Sequence, residues 1–136
     1  LGFHIRIVTD VNQILAALFI SILAYCIMFL FKMIILLSAL WVTDISGLQS
    51  FAEMILIIFA GFIMPIHLFP SPFGTISAMT PFPYMIYYPV TAFLGGIIRS
   101  EMLSVITMQG IWLLALYRIY TFMWSRGVRK FTAVGI

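Results

Sequence analysis

Charge is what this sequence has least of: seven basic and four acidic residues in 136, or 8% of the chain. A soluble domain carries roughly 25% charged residues because its surface faces water. With 64% hydrophobic residues, no fold of this chain covers an aqueous surface, so a soluble globular domain is excluded. Cysteine is nearly absent too. The single Cys26 permits no internal disulfide and no Cys-rich metal site, and it lies in an apolar run as a small hydrophobe. The histidines are two, His4 and His67. Neither belongs to an H-E-x-x-H pair, so no zinc site or metalloprotease chemistry is expected, and His67 reads as an interfacial structural residue. No Gly-rich phosphate loop is present, so the chain itself is not expected to bind ATP. No basic patch interleaves with exposed aromatics, which argues against nucleic acid. No catalytic constellation and no cofactor site are expected. No initiator Met, basic n-region or cleavage motif opens the chain, so a signal peptide is not expected, and it reads as the C-terminal piece of a longer protein.

Proline is missing everywhere except between residues 65 and 89, where all six prolines fall. That absence leaves long uninterrupted apolar runs on either side. Residues 14–31 contain only Ser21 and the Tyr25 hydroxyl as polar groups, and at about 1.5 Å per residue they nearly cross a hydrocarbon core of about 30 Å. Lys32 interrupts, but no Gly or Pro marks a turn there, so residues 14–42 read as one long tilted helix. A second span is expected over 48–66 and a third over 102–124. The prolines exclude a regular span over 65–83, because each removes a backbone donor. The same segment is apolar and aromatic, so residues 67–101 read as an external re-entrant or interfacial helical segment. The expected fold is therefore all-α, an integral membrane helix bundle of three spans plus this short segment.

The charges that remain carry the topology and the candidate sites. Arg126, Arg129 and Lys130 close the chain and, by the excess of basic residues on the cytoplasmic side, put the C-terminus inside. The turn at Thr43, Asp44, Ser46 and Gly47 then faces the cytoplasm, and the Pro-rich segment faces out. Lys32, Glu53 and Arg118 are candidate intramembrane polar groups, either snorkelling to an interface or facing a path. One specific reading pairs Lys32 or Arg118 with Glu53 across neighbouring helices. Asp44 reads as the N-cap of the following helix. Gly61, Pro65, Pro70, Pro81, Pro89 and Gly95 mark helix breaks and the re-entrant motif.

The order of these features resembles a known family. The motifs are Ala39-Leu40-Trp41-Val42-Thr43-Asp44, then Ser46-Gly47-Leu48, then Ala60-Gly61-Phe62-Ile63-Met64-Pro65-Ile66-His67-Leu68-Phe69-Pro70. They continue with Thr80-Pro81-Phe82, a Pro89-to-Gly95 element, and Trp124-Ser125-Arg126-Gly127 leading to Phe131 and Gly135. Together they resemble the permease subunits of ABC-type exporters, specifically the type-two permeases; Phe131 stands where that family usually carries Tyr. The resemblance implies the C-terminal half of a six-helix permease in a bacterial cytoplasmic (inner) membrane, C-terminus inside. It would pair with a second permease copy or a sibling subunit, and cytoplasmic ABC ATPase subunits would bind beneath. It further implies that the 43–50 turn is one surface facing the ATPase. A non-transport membrane scaffold or assembly protein is the alternative reading, and an intramembrane enzyme is disfavoured by the lack of paired catalytic residues.

Overall fold

A computed structural model describes residues 10–63 and 66–132. All regular structure among them is helical: α1 (Val11–Leu37) with a 3₁₀ turn Ser38–Leu40, α2 (Ile45–Phe59), a 3₁₀ turn Ile66–Leu68, α3 (Phe73–Ala78), α4 (Phe82–Met85), α5 (Tyr87–Phe93) and α6 (Arg99–Thr132).

α1 begins at Asp10, whose carboxylate accepts the Asn12 N–H at 3.1 Å, and it runs through Lys32 without a break. Its 27 residues make about 40 Å of helix, and the 34 of α6 about 51 Å. These two are long and apolar enough to cross a bilayer. On α1 the buried positions Ala17, Ile20, Ala24 and Ile27 recur at helical spacing and form one stripe. Met102, Val105, Gln109 and Leu116 form the matching stripe on α6. Their other faces, with Leu15, Phe19, Ile22 and Phe29 on α1 and Leu103, Ile111 and Leu114 on α6, are apolar and exposed. Lipid suits such a surface; water does not.

The two long helices run parallel. Ile20 meets Gln109, Tyr25 and Phe29 share a groove with Leu113 and Tyr117, and Leu40 meets Gly127. Contacts thus advance in the same sense along both helices. Parallel neighbours require the intervening chain to travel back along their length, and it does so in two pieces. α2 covers the first part, but with only 15 residues it is about 22 Å long and stops short of the expected residue 66. Its last residue, Phe59, lies against Phe82 at 6.4 Å between ring centroids, and Phe82 packs edge-on against Phe31 at 5.5 Å, in the C-terminal third of α1. From there α4 and α5 complete the return. The Tyr84 carbonyl reaches the level of Ile20 and Gln109, and Tyr88 shares a cavity with Glu101 in the first turn of α6. Part of the Pro-rich segment, expected from sequence as an external re-entrant element, packs along α1.

Proline and glycine placement explains why the return leg is broken where it is. Pro72 and Pro81 precede α3 and α4, Pro83 lies in the first turn of α4, and Pro89 in the first turn of α5. In a first turn the missing N–H has no intrahelical partner to lose, so each proline starts a helix and none interrupts one. Two helix ends use glycine in the left-handed region, Gly61 after α2 (φ +76°) and Gly95 after α5 (φ +69°). At the second, Gly96 N–H bonds Thr91 O (2.9 Å) and Gly95 N–H bonds Ala92 O (3.3 Å), the two bonds of a Schellman motif. α6 then starts with Glu101 accepting the Ile98 N–H at 3.3 Å, a carboxylate at N3 reaching back to the cap.

Candidate functional site

A bundle this apolar makes every buried polar side chain informative, and among the described residues Ser77 and Gln109 are fully buried. Both serve the break in the return leg. Ser77 on α3 donates its hydroxyl to Phe59 O at 2.7 Å, one of the last carbonyls of α2, which lack intrahelical partners. Gln109 Nε2 donates to Tyr84 O at the end of α4 and to Ile20 O in mid-α1, both at 3.0 Å. One amide therefore ties α6 to α1 and α4 at once. Irregular backbone survives in an apolar setting only where protein or water satisfies its polar groups, and these two side chains supply that. Gln109 Oε1 and the indole N–H of Trp112, three residues on, are buried without a protein partner.

At the other end of α1 the chain turns at residues 43–47. Asp44 caps α2: its Oδ1 accepts from Ser46 Oγ at 2.6 Å and from Gly47 N–H at 3.2 Å. The Ser46 hydroxyl, and then the Gly47 N–H, hold the Asp44 carboxyl below the ordinary carboxylate range. A depressed folded-state value means the cap stabilises α2 above the ordinary value, and this is lost as pH falls through the depressed one. Acid is therefore expected to loosen the first turn of α2 in the wild type, while Asp44→Asn, which keeps an acceptor, removes that pH dependence. Amide exchange at Gly47 and Leu48 measured across the acid range checks this. A Cβ at Gly47 would stand 3.1 Å from Asp44 Oδ2, so the small residue there leaves room for the cap.

The same turn end holds a close approach between α6 and the residues that follow α1. A Cβ built on Gly127 would overlap Leu40 Cδ1 and stand 3.3 Å from the Trp41 ring. The Trp41 and Trp124–Gly127 motifs singled out in the sequence are thus brought together. Arg126 lies over the Phe122 ring at 4.4 Å, and Tyr120 stacks on Trp124 at 6.2 Å. Gly110 is different: a Cβ there meets nothing within 4 Å, so packing inside this chain does not require glycine at that position.

The charged candidates are only partly gathered. Lys32 and Glu53 line the same small cleft between α1 and α2, about 70 Å³, with Gln49. Glu53 Oε1 accepts from Gln49 Nε2 at 3.4 Å, and its carboxylate does not pair with Lys32. Arg118 is exposed on α6, with its carbonyl accepting from Thr121 Oγ1 at 3.0 Å, and it joins neither. Of the break residues, Gly61, Pro81, Pro89 and Gly95 lie at helix ends or starts as described, and Pro70 O accepts the Phe73 N–H that opens α3 (2.9 Å). Pro65 lies outside the described residues.

Sequence reasoning passed over Ser77 and Gln109. The signal for Gln109 was there: it is the one amide in the apolar run 102–124. Ser77 carried none, because a serine among prolines and threonines looks like any loop residue.

No curated protein and no solved structure matches this chain. Residues 2–135 match the family described as ABC-2 family transporter protein, a match over nearly the whole chain. With two parallel apolar helices joined by a broken return leg, the chain belongs to the ABC-2 transporter family and is a membrane permease component of an ABC transporter.

Proposed function

We propose that this chain forms the C-terminal half of the translocation unit of an ATP-driven exporter, crossing the bacterial cytoplasmic membrane three times. α1 and α6 are full crossings, and α2 with α4 and α5 makes a broken third one. The observation that carries this reading is the parallel pairing of α1 and α6. If both cross, the chain between residues 41 and 98 must cross back, and it does so without a full-length helix. The C-terminus, with Arg126 and Arg129 on the last turns of α6, faces the cytoplasm, and so does the 43–47 turn.

In this reading the turn capped by Asp44 contacts a separate ABC ATPase, and a second permease copy or a sibling subunit completes the path. ATP-driven closure in the partner would be passed to α1 and α2, which the turn joins, and then through Gln109 to α6. The family supports a transport component; the ATPase contact and the export direction belong to the proposal. Full-length permease purified in mild detergent is expected to bring down an ATPase carrying a phosphate-binding loop. A bulky Thr43→Trp change at this exposed turn position, outside the bonds of the Asp44 cap, is expected to lower transport-coupled hydrolysis several-fold while the permease keeps its helicity. Purification with no ATPase, or unchanged coupling in the variant, contradicts the reading and favours a scaffold.

A further inference from the structure

We propose that the tyrosine-walled cavity between α5 and the start of α6 is a binding site for the ammonium head of an organic cation with an apolar remainder. The cavity has a volume of about 380 Å³, within the range of small-molecule sites, roughly 300–1,000 Å³. One wall is aromatic. Tyr84 stacks on Tyr88 with ring centroids 4.8 Å apart, and Tyr87 meets Tyr88 edge-on at 5.3 Å. The other wall is one face of α6, where Glu101, Ser104 and Met108 recur at helical spacing.

Three features select a cation. Aromatic faces carry negative quadrupole charge, and cages of such rings with a nearby carboxylate hold quaternary ammonium groups. Glu101 is the charged side chain in the lining. It spends Oε2 on the Ile98 N–H, and no cationic side chain among the described residues pairs with it. The N-terminus of α6 opposes a cation with roughly half a positive charge, but the full charge of Glu101 in its first turn outweighs that. Arg99 is two residues from Glu101, about 200° around the helix, and so does not share its face. The apolar remainder of the ligand is accommodated by Ile97 and Val105, which also line the cavity.

The site is independent of ATPase coupling, and its test reads binding alone. Full-length protein in maltoside micelles is titrated calorimetrically with hexyltrimethylammonium and with its neutral isostere bearing carbon in place of nitrogen. Saturable binding of the cation and none of the isostere is expected. Glu101→Gln, which keeps an acceptor for the Ile98 N–H, is expected to weaken binding by about tenfold, and Tyr88→Phe, which keeps the ring, by about twofold or less. Circular dichroism confirms that each variant is folded. Displacement by a short-chain phosphatidylcholine supports the site and identifies a lipid headgroup as its source of ammonium. Lack of displacement supports it with a free organic cation as ligand. Equal binding of the isostere, unchanged affinity in Glu101→Gln, or no saturable binding by the folded wild type overturns the proposal.

Discussion

Gln109→Ala is expected to lower the stability of the bundle by about 3 kcal/mol, the sum of an orphaned carbonyl and a cavity. The side chain is fully buried, so truncation leaves a void between α1, α4 and α6. It also strips Tyr84 O of the amide that satisfies it; a buried unpaired carbonyl costs about 1–3 kcal/mol. Ile20 O loses less, because as a mid-helix carbonyl it keeps its intrahelical bond. Gln109→Leu separates the two contributions. It fills most of the volume and removes the unpaired Oε1, so its expected loss is smaller, about 1 kcal/mol. Unfolding titrations of the two variants in mixed micelles check the order. If alanine and leucine prove equally mild, Gln109 is not the tie between the long helices and the broken leg.

The second large effect is steric. Gly127→Leu is expected to destabilise by about 2–3 kcal/mol, because a side chain at this position must displace Leu40 and the Trp41 ring. Leu40 meets Gly127 with the far end of a flexible side chain, so the conflict is relieved from the α1 side. Leu40→Ala combined with Gly127→Leu is therefore expected to recover a large part of the loss, a non-additivity of about 1 kcal/mol or more that marks direct contact. Additive losses in the double variant would show that the two helices do not meet there. The consequence reaches function, because Leu40 and Trp41 lead directly into the turn proposed to face the ATPase.

Much of this fold was legible in the sequence, and the reasons are local. The apolar run 14–42 with Lys32 uninterrupted by Gly or Pro reads as one helix, and the structure runs α1 through it. Asp44 followed by Ser46 and Gly47 is a cap signature that needs no tertiary information. The bounds of the second helix were harder. Apolar residues continue past Phe59, so hydropathy carries the helix on to residue 66, whereas Gly61 in a left-handed conformation ends it. The Pro-rich segment is recognisable as irregular from composition, but its packing against α2 and the long helices depends on Ser77 and Gln109, each bonding to carbonyls far away in the chain. Such pairings are invisible to periodicity. So is the parallel sense of α1 and α6, which follows from which residues meet and not from what they are.

In the proposed topology the return leg crosses the membrane in two pieces, and cysteine labelling tests that most directly. In a Cys26→Ser background, single cysteines replace Ser46 in the turn before α2 and Ser100 at the start of α6. Sealed vesicles of one orientation are treated with a membrane-impermeant maleimide before and after permeabilisation. The broken crossing predicts that one of the two positions reacts before permeabilisation and the other only after it, because residues 46 and 100 lie on opposite sides. Labelling of both from the same side would mean that α2, α4 and α5 do not cross, and the parallel three-crossing arrangement would fall.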